Sequence, residues 1–429
     1  MNEKVYGITL LIVVVWPLLL AIPALRSRLP WPRHLAIIPA VVLTVLPGDA
    51  SLAMPWLLFG TGFAVDGGVR WILLMSVAIW LTAGTAAKSL RPNPADDRAT
   101  TFFLLTLAGN LGVVLATGLV GFFSFSTLMG YGFYGLLMHA GDEAIRRAGR
   151  LYLIFLIVAD LFLFEALLLA ASTTGGDMQY EVVRQAMAGN SSSRFYLWLA
   201  LGGFALKAGI WPVHLWLSAA FKSVRRLTTL LLVGVPVAMG LLGAVRWLPF
   251  GEHTFSVFGM IIQVIGVAAM LYAALRLFMR APLKMLPAWG TVLATGLFIV
   301  ALGTGLAHPA IWRQYEYLIY PFIASLGIFL TALTFAIGRL QDKRQGPDVG
   351  LQRVEVLSPW VEGWINVIQR RAKDRLLRLQ SHWHSSWLKV IERHQRILDW
   401  QKPAVLVGGW SATITMFVLL GLVIAWLAR

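Results

Sequence analysis

The sequence contains no cysteine. That excludes disulfides, thiolate nucleophiles, iron–sulfur clusters and cysteine-ligated zinc. Charge is scarce too: Asp, Glu, Lys and Arg make up 13% of the 429 residues, against 58% hydrophobic, and the mean hydropathy is +0.73. A soluble domain does not carry repeated apolar runs of about 20 residues, so the composition predicts an all-α polytopic membrane protein. Acidic residues are the rarer sign, 20 against 36 basic, for a net charge of +16. In a membrane protein such an excess collects at the cytoplasmic face, so nucleic acid is not the expected partner. No phosphate loop, dinucleotide fingerprint, HExxH or GxSxG in the right context appears. The sequence therefore indicates no cofactor and no independent catalytic site. His382 and His384 lie two apart, on opposite sides of a helix, and lack the i,i+4 spacing of a helical metal pair, so no metal site is expected.

What is present is a series of long apolar runs. Twelve spans are predicted, at 5–25, 34–48, 70–88, 100–118, 119–139, 151–172, 195–219, 227–247, 256–278, 285–306, 316–338 and 403–427. The first is read as a retained helix, because its apolar run is too long for a signal-peptide core. Alternate loops carry the basic residues: Arg26, Arg28, Arg33; Lys88, Arg91, Arg98; Arg146, Arg147, Arg150; Lys222, Arg225, Arg226; Arg276, Arg280, Lys284; and Arg339, Lys343, Arg344. The opposite loops are poorer, so the positive-inside rule places both termini outside, in a bacterial-type inner membrane. Residues 339–355 are polar and end the main bundle. In 356–400, apolar residues from Leu357 to Leu398 recur at helical spacing, with Arg370, Arg371, Lys373, Arg375, Arg378, Lys389, Arg393 and Arg396 between them. That pattern is a basic amphipathic helix at the lipid headgroups, acting either as a self-anchoring linker or as a strap across neighbouring subunits.

Few ionisable residues fall inside the spans. Asp160 and Glu165 lie in the sixth, and Lys207 in the seventh. Asp160 and Lys207 stand at similar depth in consecutive antiparallel spans, which makes a pair plausible. Burial moves a lysine and a carboxyl towards their neutral forms and proximity moves them back, so such a pair suits a proton relay. A static ion pair fixing the packing is the alternative. Glu165 lies about 140° round the helix from Asp160 and faces another neighbour. Gly209 and Pro212 weaken the helix beside Lys207, and His214, which follows, can exchange protons near neutral pH.

Lys207-Ala-Gly-Ile-Trp-Pro-Val-His-Leu-Trp-Leu resembles the K-x-x-x-x-P-x-H-x-W-L-P segment of the antiporter-like subunits of respiratory complex I. Mrp-type antiporters, membrane-bound hydrogenases and inorganic-carbon uptake complexes contain similar subunits. Pro55-Trp-Leu-Leu-Phe-Gly with Val65-Asp66-Gly67-Gly68 resembles the family's W-L…D-G-L-S segment. Leu283-Lys-Met-Leu-Pro-Ala-Trp-Gly-Thr resembles D-L-K-R-V-L-A-Y-S-T. Asp160 matches an acidic position in the sixth span of the largest such complex I subunit. The resemblance covers roughly 50–340. It implies an antiporter-like fold: N-terminal helices over 1–99, a first five-helix repeat over 100–250, a partial second repeat over 251–338, a linker and lateral helix over 339–402, and a terminal anchor over 403–429. It further implies partner membrane subunits contacted through 356–400, contact with lipid, movement of protons with sodium as a second candidate, and a place in a proton-translocating oxidoreductase.

The sequence also departs from the family. In Phe123-Ser-Phe-Ser-Thr-Leu-Met129, Thr127 stands where the family's fifth-span glutamate pairs with the lysine. Leu232 stands near the family's eighth-span lysine or histidine, and the lysine that the family's second repeat carries has no counterpart here. Three readings follow: a subunit conducting or coupling protons through Lys207, Asp160 and His214, with Glu165 a further candidate; a non-conducting scaffold; and a proton-driven inorganic-carbon uptake subunit.

Overall fold

The computed structural model describes residues 3–27, 29, 31–54, 60–86, 94–139, 143–188, 193–223, 230–278 and 285–343. The expected amphipathic helix over 356–400 and the last span over 403–427 lie outside the described residues. In chain order the helices are α1 (Glu3–Ala21), the short α2 (Pro23–Arg26), α3 (Pro32–Leu35) and α4 (Ile38–Val45), α5 (Gly67–Ala86), α6 (Pro94–Leu115), α7 (Leu119–Met138), α8 (Glu143–Thr174), α9 (Tyr180–Ala188), α10 (Ser193–Ala208), α11 (Leu215–Ser223), α12 (Ala238–Trp247), α13 (Ser256–Phe278), α14 (Leu286–Ala307), α15 (Pro309–Tyr315) and α16 (Ile319–Lys343).

Eight helices among the described residues are long and apolar enough to cross a membrane. The protein is thus a multi-pass helical membrane protein. Three of the expected spans take other forms. The first carries an apolar stretch, Tyr6–Ala21, short of that length. The second is divided between α3 and α4, because Pro32 and Pro39 each sit in the first turn of a helix, where a missing N–H costs nothing. The seventh is broken between α10 and α11. A small antiparallel pair, β1 (Ala50–Ala53) and β2 (Gly62–Val65), leads into α5. There the Asp66 carboxylate accepts the Val69 N–H at 2.8 Å and caps the helix.

The apolar stretch Leu230–Trp247 is buried along its whole length. Its π-helical turn, Val233–Val237, contains Pro236 and sits among α5, α10 and α16. A proline removes one ladder bond, and a wider turn accommodates the loss. Around this post the helices approach through small residues. α13 and α14 cross with Gly259 opposite Gly303 and Gly266 opposite Gly296; a Cβ on Gly266 would stand 2.7 Å from the Gly296 carbonyl oxygen. In lipid, where apolar burial does not drive helices together, this backbone proximity supplies the attraction. Gly266→Leu is therefore expected to part the two helices and to cost about 3 kcal/mol or more, because the obstacle is backbone. Thermal unfolding in detergent reads this, with Gly67→Ala, whose surroundings are open, leaving the midpoint unchanged.

Polar side chains satisfy the helix ends. Buried Arg26 donates to the Asp97 carboxylate at 2.8 Å, to the Asp97 carbonyl at 2.9 Å and to the Ala21 carbonyl at 3.0 Å, joining the turn after α1 to the start of α6. At the other end of α6, buried Arg246 of α12 donates to the carbonyls of Val113 at 2.8 Å, Val114 at 2.7 Å and Ala116 at 3.3 Å. The end of α12 is capped in turn. Arg184 of α9 donates to the Val245 and Arg246 carbonyls, and the Tyr196 hydroxyl of α10 donates to the Trp247 carbonyl. A buried helix end without such donors would leave up to four carbonyls unpaired.

Candidate functional site

The site forms where α7, α8 and α10 meet. Gly203 lies one turn before Lys207, and a Cβ there would stand 2.6 Å from the Leu163 side chain and 3.1 Å from the Ala159 carbonyl oxygen. α10 and α8 therefore pack closely at the level of Asp160, which lets a short carboxylate reach across. The Lys207 ammonium stands 2.7 Å from Asp160 Oδ1, with side-chain exposures of 5% and 11%. Lys207 Nζ also donates to the Ser126 hydroxyl of α7 at 2.7 Å. The approach to Oδ1 is off the line of a well-aligned hydrogen bond, and Oδ2 meets no donor among the described residues. The carboxylate thus has acceptor capacity to spare.

The helix ends just beyond the lysine. Gly209 adopts a left-handed φ of 63°. The Ile210 N–H returns to the Ala205 carbonyl at 2.9 Å, and the Gly209 N–H to the Leu206 carbonyl at 3.4 Å. These two bonds form the Schellman termination that glycine favours. The Trp216 indole N–H, from α11, also donates to the Leu206 carbonyl at 2.9 Å. The break inside the apolar bundle is thereby closed by the chain's own groups. Lys207 lies in the last turn of α10, where the negative end of the helix dipole favours a cation. Gly209→Ala forces a Cβ into the left-handed region, and Trp216 and Leu217 stand 3.3 Å from it. We expect a loss of about 1–2 kcal/mol, measured as a lower thermal midpoint.

Beside the ammonium lies a cavity of about 10 Å³, lined by Ser126, Gly130, Tyr152, Lys207, Trp216 and Pro236 among others. That is near the least volume that holds one water, and the lining supplies polar partners. Across the π turn lies a second cavity of about 10 Å³, lined by Val233, Val237, Leu241, Ile323, Leu330 and similar residues. Thr291 is its one hydroxyl, and it donates to the Pro287 carbonyl at 2.7 Å.

The other expected positions fall as follows. Thr127 stands one residue beyond Ser126, its hydroxyl buried and without a partner among the described residues. Leu232 is fully buried just before the π turn. His214 is buried between α10 and α11, its ring edge-on to Tyr272 at 5.4 Å and to Trp289 at 6.1 Å, with Nδ1 unpartnered among the described residues. Pro212 lies in the same connection, and Glu165 lies half-buried on another part of α8. Two residues escaped the sequence reading. Ser126 was hidden because the motif's register points to Thr127, whereas the hydroxyl that reaches Lys207 is one position earlier. Arg246 ends an apolar run and reads as an interfacial charge, although it is buried.

The geometry defines a class: a polytopic helical bundle with an ammonium–carboxylate pair buried beside a broken helix. The chain belongs to the NADH:quinone oxidoreductase/Mrp antiporter transmembrane family, matching it over residues 116–346. It is 23% identical over 357 residues to an NAD(P)H-quinone oxidoreductase chain 4 of Microcystis aeruginosa, a match covering 72% of this chain and 64% of that one. It is 27% identical over 271 residues to the NAD(P)H-quinone oxidoreductase chain 4 of Gloeobacter violaceus, covering 62% and 48%. The chain thus spans about half to two thirds of the length of these relatives. Its fold is similar to a chain of respiratory complex I from Thermus thermophilus with bound NADH, with a TM-score of 0.64 and 20% identity over 78% of this chain and 71% of that one. It is also similar to a chain of the Mrp complex from a Dietzia species, with a TM-score of 0.62 and 20% identity over 79% and 64%.

Proposed function

We propose that this chain is a membrane subunit of a multisubunit ion-translocating complex, and that it handles protons through Lys207 and Asp160. The observation that carries the reading is the Lys207 ammonium held between a carboxylate with a spare oxygen and a hydroxyl, beside room for one water. A proton leaving Lys207 can pass to Asp160 or to that water. Ser126 takes part of the place of the family's glutamate as a neutral acceptor, which leaves Asp160 as the one carboxylate among the described residues in contact with the cation. His214, beyond the break, is the next titratable group along the chain, and the Gly209–Pro212 connection gives the two room to move apart. Other membrane subunits are the partners, engaged through 356–400 as a lateral strap, and protons rather than sodium are the ion. The bundle comprises a first repeat over 100–250 and a partial second over 251–338, in an inner membrane with both termini outside.

A specific observation favours a second reading, a non-conducting scaffold. Leu232 and the cavity beyond the π turn offer a proton no titratable group among the described residues in the direction of α14 and α16, and the cavity's one hydroxyl, Thr291, is spent on the Pro287 carbonyl. An apolar cavity of that kind stays dry. An inorganic-carbon uptake subunit is a narrower form of the first reading. The test is ion flux in vesicles carrying the assembled complex with Lys207→Met. Flux falling by roughly tenfold or more, with assembly intact, supports proton handling. Unchanged flux leaves the scaffold.

A further inference from the structure

We infer that the outward stripe of α8 centred on Glu165 docks a membrane-spanning helix of a neighbouring subunit that presents a lysine or arginine to that carboxylate. The inference rests on the reading of this chain as a subunit of a membrane complex. Glu165 lies five residues beyond Asp160, well inside the apolar part of α8, yet it contributes nothing to the Lys207 site. Its side chain is half-buried and forms no ion pair or hydrogen bond among the described residues. Ile154 and Leu168, eleven residues before it and three after it, are 46% and 47% exposed. By helix geometry the three lie within roughly 60° of one another. The flanks of this stripe are already occupied. Phe164 packs on Phe123 of α7, with ring centroids 6.1 Å apart, and Leu163 packs against Gly203 of α10. Glu165 therefore lies between the α7 and α10 contacts, on a stripe that is exposed at Ile154 and Leu168 and buried at Leu161.

A carboxylate facing hydrocarbon at this depth is costly, and intramembrane acids pair instead. Among the described residues no Lys or Arg pairs with it. Its remaining apolar run, residues 403–427, contains no Lys or Arg. Arg26, Arg246 and Lys207 are engaged elsewhere. A cation on another polypeptide matches the charge, and Ile154 and Leu168 supply the apolar contact around it.

The experiment places a benzoylphenylalanine photocrosslinker at Leu168 of the full chain in its native membrane. The adduct is identified by mass spectrometry. A crosslink to a membrane segment of a different subunit, within a turn of a Lys or Arg, is the expected result. Glu165→Leu should lower the yield of intact complex by roughly tenfold, as removal of one partner of a desolvated charge pair does. Glu165→Lys combined with the partner's cation changed to Glu should restore it. Adducts to lipid, to this chain's own residues 352–429, or to a segment without a cation overturn the inference, as does normal assembly of Glu165→Leu. If the wild-type chain assembles with no other subunit at all, the subunit reading fails first. An intact complex with Leu168 against lipid fails this inference alone.

Discussion

Replacing Asp160 alone by leucine will destabilise the protein more than replacing Asp160 and Lys207 together. The single change leaves a buried ammonium with only the Ser126 hydroxyl at 2.7 Å as its partner. Removing one member of a buried pair costs on the order of 3–5 kcal/mol, because the survivor is an uncompensated charge. Asp160→Leu with Lys207→Met removes both charges and keeps the volume apolar, which is often neutral or better by about 1–4 kcal/mol. Thermal midpoints of the four proteins in detergent give the coupling directly. Flux then separates the two roles of the pair. If it only fixes helix packing, the double variant recovers both assembly and flux. If it carries protons, the double variant recovers assembly and remains silent. A double-variant loss equal to the sum of the two single-variant losses would mean that the two charges are not coupled.

Arg246→Met is expected to be the most damaging single substitution outside the site. The guanidinium donates to three carbonyls at the end of α6, all within 3.3 Å, from a stretch with no exposed surface. Methionine fills the volume but donates nothing. Each buried acceptor left unpaired costs roughly 1–3 kcal/mol, and the helix dipole loses its counter-charge, so a loss of about 4 kcal/mol is expected. Arg246→Lys should recover part of it, because an ammonium is a compact point charge and lacks the planar fork that spans several carbonyls. Thermal stability in detergent measures both. A midpoint within about a degree of the wild type for Arg246→Met would show that the α6 end does not need its cap.

The arrangement is also consistent with how the two stretches are written. The Lys207 segment is legible because each of its features is local. A lysine in an apolar run is an anomaly in any register, and a glycine two residues later supplies the left-handed turn that ends the helix. The Asp160 pairing was also within reach, because antiparallel consecutive spans equate depth with sequence distance. Ser126 was not legible. On a helix one residue is about 100°, so a motif that points to Thr127 aims at a different neighbour. Arg246 was not legible either, since its burial depends on α6, α9 and α12 closing around it.

By itself the sequence determined that the chain lives in a membrane, where most of its apolar helices run, that Lys207 sits beside a weakened stretch of helix, and which family carries that segment. Those properties come from hydropathy and backbone chemistry within a few residues. Only the tertiary structure decided that Ser126 rather than Thr127 meets the ammonium and that Arg246 caps α6. These depend on the rotation of each helix about its own axis, which is fixed by side chains and small-residue contacts from distant parts of the chain.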